Sequence, residues 1–436
     1  MLYSTHKSWL AFKQRLLLIL IMSCFVAGSF AQQLAKKPDL KNADSLMIQK
    51  FYAIWHEPLF WFSSRKDMKR ATEWLSVIES ADNSGFVSDK LQNEQMRALL
   101  VRKNKIDNLL KEKTDKQLTA LVLKFIKYKQ QSNILFEYDE VNAPNDSVYI
   151  FQLLFSKNKG SVSNLVSTFE CKDPDYLVLK KFMQDSISDK NSVKYKTVLL
   201  AMNFRKYLTI NRHPEYIVVN IPEAEATYYK NSLPALKMRT VPGKKTNPTP
   251  TISSYITSIV TFPAWNVPFK IAGDEILPKV QKDANYLEQN NFDVVDAKGN
   301  VMDDSELNWG SYTAKNFPYF FRQSTGSDNS LGVLKFNLQN PFSIFLHATS
   351  NPGAFKKDFR FLSHGCVRLE KPFELADAML RGTLDIEELK NGKKDTESKI
   401  IKLPVKIPVF IIYVPLTVNG NKVTFLPDVY GLIKQG

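Results

Sequence analysis

One stretch of the chain concentrates the residue types that acyl transfer needs: Phe345-Leu346-His347, then Phe355 and Arg360, then Ser363-His364-Gly365-Cys366-Val367-Arg368. A cysteine nucleophile requires an imidazole to take its proton, main-chain N–H groups for a developing oxyanion, and nearby positive charge to favour thiolate. His347 closes an apolar run from Phe342, Gly365 allows a tight turn beside the Cys366 thiol, and Arg360 and Arg368 supply charge. Singly these residues are ordinary, since buried cysteines are common. Together they read as a nucleophile, Cys366, and a base, His347. Such a base needs an acceptor for the ring N–H that faces away from the thiol. The side chain of Ala348 offers none, so the main-chain carbonyl of residue 348 is expected to orient the ring.

Ser-His-Gly-Cys-x-Arg with an upstream His resembles the signature of the YkuD-type L,D-transpeptidases. Asn220-Ile221-Pro222, Trp265-Asn266-Val267-Pro268, Ile276-Leu277-Pro278-Lys279, Arg322-Gln323, Asn329 with Leu331-Gly332, Lys335-Phe336, Pro408-Val409 and Asp428-Val429-Tyr430-Gly431 are similar to the larger periplasmic members. So, more weakly, are Phe51-Tyr52 and Pro58-Leu59. The resemblance implies acylation by a tetrapeptide stem of peptidoglycan with release of its terminal D-Ala. Transfer to the side-chain amine of a neighbouring stem then gives a 3→3 cross-link. It implies Cys366 as nucleophile, His347 as base and the backbone around Gly365 and Cys366 as oxyanion donor. Ser363, His364, Asn329 and Lys335 fall on the substrate side, the first two in a shaping or hydrogen-bonding role. Arg368 either binds a stem carboxylate or braces the loop. No cofactor or metal is implied, and no His/Cys/Asp/Glu constellation has convincing ligand spacing.

Two features depart from the larger members. Their base is commonly followed by Asp-Thr-Pro, whereas His347 is followed by Ala348-Thr349-Ser350, and Met183 to Arg205 leaves no room for a peptidoglycan-binding module. Other readings stay open. A papain-like peptidase is disfavoured because His347 precedes Cys366, the reverse of that class. An L,D-carboxypeptidase on the same fold remains, because water and amine compete for one acyl-enzyme. So does a non-catalytic wall-binding protein, against which the retention of His347 and Cys366 counts. A carbapenem, which acylates the cysteine of this family, would separate the last two.

The elements that must position these residues differ between the halves of the chain, and the fold class expected is α+β. From about 40 to 200 helical periodicity dominates and suggests a scaffold domain: Met68, Ala71, Leu75 and Ile78 share a face, as do Leu118, Leu121, Val122, Phe125 and Ile126. Thr114 with Gln117 reads as a capping box, and Pro58 follows a helix carrying Phe51, Tyr52 and Trp55. From 201 to 436 a mainly β catalytic domain, a YkuD-like β-sandwich on the resemblance, is expected. Its strand candidates are Tyr216 to Ile221, Lys237 to Val241, Ile256 to Phe262 and Ile407 to Val414, with Lys422 to Phe425 beyond an Asn419-Gly420 hairpin signal. Between about 262 and 331 lies an aromatic insertion holding Trp265, Trp309, Tyr312, Phe317, Tyr319, Phe320 and Phe321. A segment of that length is a lid or a small subdomain rather than slack.

Composition fits an exported enzyme. Lys7, Lys13 and Arg15 precede an apolar run from Leu16 to Val26, and Ser29-Phe30-Ala31 suggests cleavage of a signal peptide at 31. A retained anchor, or lipidation of Cys24, is the alternative. No later segment has the apolar length of a membrane span, which points to the periplasm or cell envelope. The formal charge of +15 points to an anionic partner, an acidic polymer or envelope surface rather than nucleic acid, if it is not simply a basic surface. Of three cysteines, Cys171 and Cys366 follow the leader, too few for a disulfide scaffold, though one bridge between them is conceivable.

Overall fold

The computed structural model describes residues 40–434, apart from 82–84, 87, 103–105, 142–149, 152–153, 156–159, 212, 284, 384 and 392–395. The expected leader lies outside the described residues. The chain is α+β, with helices first and a mainly β region after them. It divides into two compact units, one formed by residues up to 78, 88–125 and 146–162, the other by 79–87, 126–145 and 163–436.

In the first unit, helix Arg65–Ser80 buries Ala71, Trp74, Leu75 and Ile78. The buried Asp115 carboxylate accepts hydrogen bonds from the N–H groups of Phe60, Trp61 and Phe62 and from the Tyr52 hydroxyl. It therefore ties the turn after the first helix, Leu40–Trp55, to the helix Asn108–Gln130. That helix begins six residues before Thr114, against the capping-box reading. Asp107 supplies the start, accepting from Leu110 N at 3.1 Å, while the Thr114 hydroxyl turns back to the Leu110 carbonyl at 2.8 Å.

The second unit is built on strands β1 (Tyr138–Asp139), β2 (Glu215–Asn220), β3 (Glu225–Lys230), β4 (Leu233–Val241), β5 (Ile252–Thr261), β6 (Trp265–Asn266), β7 (Phe292–Val295), β8 (Phe320–Gln323), β9 (Leu334–Leu338), β10 (Leu346–His347), β11 (Val367–Leu369), β12 (Lys399–Ile412), β13 (Leu416–Asn419) and β14 (Lys422–Phe425). The main order is β1-β5-β12-β2-β3-β4-β11-β10-β9, and β5 also pairs with β9, so eight strands from β5 to β9 close on themselves. The pleat sorts their side chains. Ile217, Val219, Val409 and Ile411 join the core with Leu334, Phe336, Leu346 and Val367. Tyr216, Val218, Phe410 and Ile412 face the other way, onto Tyr176, Leu179, Val198, Met202 and Phe204. Helices Pro174–Ser186 and Val193–Ile210, which periodicity groups with the preceding helical run, thus share a core with the sheet. The hairpin predicted at Asn419-Gly420 joins β13 to β14, with Gly420 at φ 57°.

The insertion is a subdomain. β6, β8 and β7 form a separate three-stranded sheet. Val267, Ile276, Leu277, Val294, Phe317 and Phe321 are its core, with Trp265, Trp309, Tyr312 and Tyr319 packed on them. The insertion aromatics are therefore mainly structural.

Candidate active site

Register across three strands assembles the site. β10 lies between β9, its antiparallel neighbour, and β11, its parallel one, so Lys335, His347 and Arg368 stand side by side. The next row, Phe336, Leu346 and Val367, is buried core, which fixes the register: a one-residue slip would drive two cations and an imidazole into it. Cys366 immediately precedes β11 and is half-buried.

The loop carrying Cys366 is anchored on itself and from below. Ser363 Oγ donates to the Cys366 carbonyl at 2.5 Å and accepts from Gly365 N at 3.1 Å. Gly365 adopts φ 123°, a region closed to side chains, and bears out the tight turn. Its carbonyl accepts from Thr249 Oγ1 at 2.7 Å, and the same hydroxyl accepts from Gly243 N at 2.8 Å. Tyr430 closes the network, its hydroxyl donating to the Gly243 carbonyl and its N–H to the Tyr413 hydroxyl, which bonds Asp428. Because Gly365 N–H is spent on Ser363, the main-chain donor left beside the thiol is Cys366 N–H, which makes no hydrogen bond among the described residues.

Cys366 Sγ lies 3.7 Å from the Ser343 carbonyl. Cys366, immediately before β11, and His347, on the neighbouring β10, are not hydrogen-bonded to each other among the described residues. Apo geometry of this kind tightens when substrate binds. Ser343 sits at φ 56°, a strained region for a non-glycine residue, and Asn340 holds it there by accepting from the N–H groups of Phe342 and Ile344.

Burial pushes the thiol up to about 11, outweighing the pull of the Phe345 main chain, Lys335 and Arg368 in the other direction. Burial, reinforced by the charge of Arg368 and Lys335, pushes His347 down to about 3, although the main chains of Leu331 and Ala348 favour its protonated form. Both shifts favour the neutral forms, thiol and imidazole. The expectation that nearby cations favour thiolate is thus corrected: they are present, but desolvation is larger. Arg360 is not among them. Its guanidinium is occupied by the carbonyls of Thr240, Lys357, Glu223 and Ala224.

The remaining expected residues separate. The main chains of Leu331 and Ala348 favour the protonated ring, yet the buried Nδ1 has no hydrogen-bond partner among the described residues. Arg368 has a buried Nε with no partner, and Lys335 Nζ stands 4.3 Å above the Phe345 ring; neither cation meets a carboxylate among the described residues. Asn329 is 2% exposed, and its amide is consumed by the carbonyl of Ser324 and the N–H of Leu331. It braces the loop that faces His347, a correction to its expected place at the substrate. His364 turns toward the insertion, to Glu275. Sequence reasoning missed Ser343, Thr249, Lys244 and Glu275. Pro242-Gly243 and Pro248-Thr249-Pro250 signal turns, but nothing local says that these turns meet the catalytic loop. Among the described residues, no group of three or more His, Cys, Asp or Glu could hold a metal.

Residues 214–407 match the model of the YkuD family, the L,D-transpeptidase catalytic domain. The chain carries a YkuD L,D-transpeptidase domain. A Haemophilus influenzae relative assigned to the L,D-transpeptidases is 36% identical over 243 residues, 55% of this chain and 49% of that protein. The chain thus spans about half the length of the relative it matches. Among solved structures, an Enterococcus faecium L,D-transpeptidase aligns over 46% of this chain and 51% of its own, at 12% identity and TM-score 0.22. One from Mycobacterium smegmatis aligns over 46% and 58%, at 12% identity and TM-score 0.23.

The depressed His347 value gives this transpeptidase domain a testable pH profile. A histidine whose pKa is lowered stays unprotonated at lower pH, so the base persists well into acid. Carbapenem acylation of Cys366, followed by intact mass, is expected to change less than about threefold between pH 7 and 5. A base near 6.5 would lose roughly twentyfold over that range. A fall of that size would show that the ring is not shielded from solvent.

Proposed function

We propose that the protein is a peptidoglycan L,D-transpeptidase that forms 3→3 cross-links from tetrapeptide donor stems through a thioester on Cys366. The observation that carries this reading is the row Lys335–His347–Arg368 set by strand register beside a half-buried thiol. Sγ attacks the carbonyl that precedes the terminal D-Ala as His347 takes the thiol proton. Cys366 N–H receives the oxyanion. His347 returns the proton to the departing D-Ala amine, leaving the thioester. The side-chain amine of a second stem then attacks the thioester carbonyl, His347 takes the amine proton, and the expelled thiolate recovers it. Lys335 and Arg368, without carboxylate partners among the described residues, suit the carboxylates of a donor stem.

The basic composition and the absence, among the described residues, of any helix long and apolar enough to cross a membrane accord with export and work at the cell envelope. In this reading no nucleic acid is involved, and capture of peptidoglycan rests on the groove and the basic surface. Hydrolysis of the same thioester, the carboxypeptidase reading, differs only in the acceptor. Mass spectrometry of muropeptides after incubating the mature protein with purified tetrapeptide stems separates them: cross-linked dimers are expected. Tripeptides alone would make it a carboxypeptidase, and no product would leave a wall-binding protein.

A further inference from the structure

The insertion and the catalytic loop Ser363–Cys366 meet at a polar cluster that the reaction does not use. His364 Nε2 lies 2.5 Å from Glu275 Oε1, and Lys244 Nζ lies 3.5 Å from the same oxygen and 3.3 Å from His364 Nε2. Lys244 is itself fixed to the loop, its N–H donating to the Ser363 carbonyl at 2.9 Å. Glu275 is carried on a firm element, the π-helical turn Ala272–Ile276. Ala272 and Ile276 are buried in the insertion's core, and a Cβ on Gly273 would stand 2.7 Å from Ala314 Cβ. Burial alone would raise the Glu275 carboxyl, but hydrogen bonding to His364 and the charges of His364 and Lys244 outweigh it and hold it below its ordinary value.

A subdomain with its own core is free to shift as a body on its connections unless specific contacts hold it. The buried cores of the insertion and the closed sheet share no residue. The carboxylate therefore bridges two separately packed bodies through His364, which lies two residues before Cys366 in the chain.

We infer that Glu275 is a positioning residue that clasps the insertion to the catalytic loop through His364 and Lys244, and so limits the access of water to the Cys366 acyl-enzyme. The inference rests on the proposed cysteine thioester and deepens it: the clasp favours transfer to an amine over hydrolysis. Ion pairs and charged hydrogen bonds of this exposure are worth modest factors, so Glu275→Ala is expected to shorten the lifetime of a carbapenem adduct by about fivefold. Glu275→Gln, which keeps the volume and one hydrogen bond, should fall between. With tetrapeptide stems, the ratio of dimers to tripeptides should drop by a similar factor.

The test is intact-mass decay of the adduct on wild type, Glu275→Ala, Glu275→Gln, His364→Ala and the double variant Glu275→Ala/His364→Ala. Partners in one clasp give a double variant no worse than the worse single one. Equal lifetimes in wild type and both Glu275 variants would overturn the clasp alone, as would fully additive losses. Failure of wild type to form any adduct would overturn the thioester reading, and the clasp with it.

Discussion

Replacing Cys366 with serine is expected to abolish both the carbapenem adduct and cross-linked product while leaving the unfolding temperature nearly unchanged. The hydroxyl fits where the thiol stood, beside the Ser343 carbonyl, so packing is preserved. Its proton is far less acidic than that of a thiol, even one pushed up to about 11 by burial. A base pushed down to about 3 has little strength to spare for removing it. A stable adduct on the serine variant, seen by intact mass, would refute Cys366 as the nucleophile. Cys171→Ser is the control. Cys171 is buried in the helix-sheet core with its sulfur 3.3 Å from Thr209 Oγ1, and both cysteines are unbridged. Its replacement should change acylation less than about twofold, the usual scale for a substitution that touches no reacting group.

Loss of His347 should be nearly as severe. His347→Ala is expected to lower the acylation rate by about 10²–10⁴, the usual worth of a positioned general base. Because the ring is 4% exposed, alanine also opens a cavity, so His347→Gln is the companion variant that keeps most of the volume. Both should fall together in rate while only alanine loses marked thermal stability. A glutamine variant that retains more than about a tenth of the rate would remove His347 from the mechanism. The structure also says what an acid at the next position would do. Commonly aspartate in the larger relatives, residue 348 is here an alanine whose side chain belongs to the core with Leu346, on the face opposite His347. An aspartate there would bury a charge rather than supply an acceptor to the ring.

The sequence alone carried the proposal for the chemistry. His347, Gly365 and Cys366 stand out in it because a nucleophile, a base and a turn residue must be of particular types, and those types at those spacings have few other uses. The β-branched run at Tyr216 to Ile221 and the hairpin at Asn419-Gly420 were legible because strand period and turn chemistry are local. What local pattern could not carry was partnership. Periodicity placed the helices after Pro174 with the helical half, but their apolar faces were matched only by Tyr216, Val218, Phe410 and Ile412, from strands that meet through pairing far along the chain. The same holds at the site. Asn329 looks like any surface amide until the loop closes on it, and Arg368 and Lys335 flank His347 only because β10 is laid between β9 and β11. Whether the thiol was ionised also lay beyond the sequence: the charges that favour thiolate are visible in it, but the desolvation that outweighs them exists only once the chain has closed around Cys366 and His347.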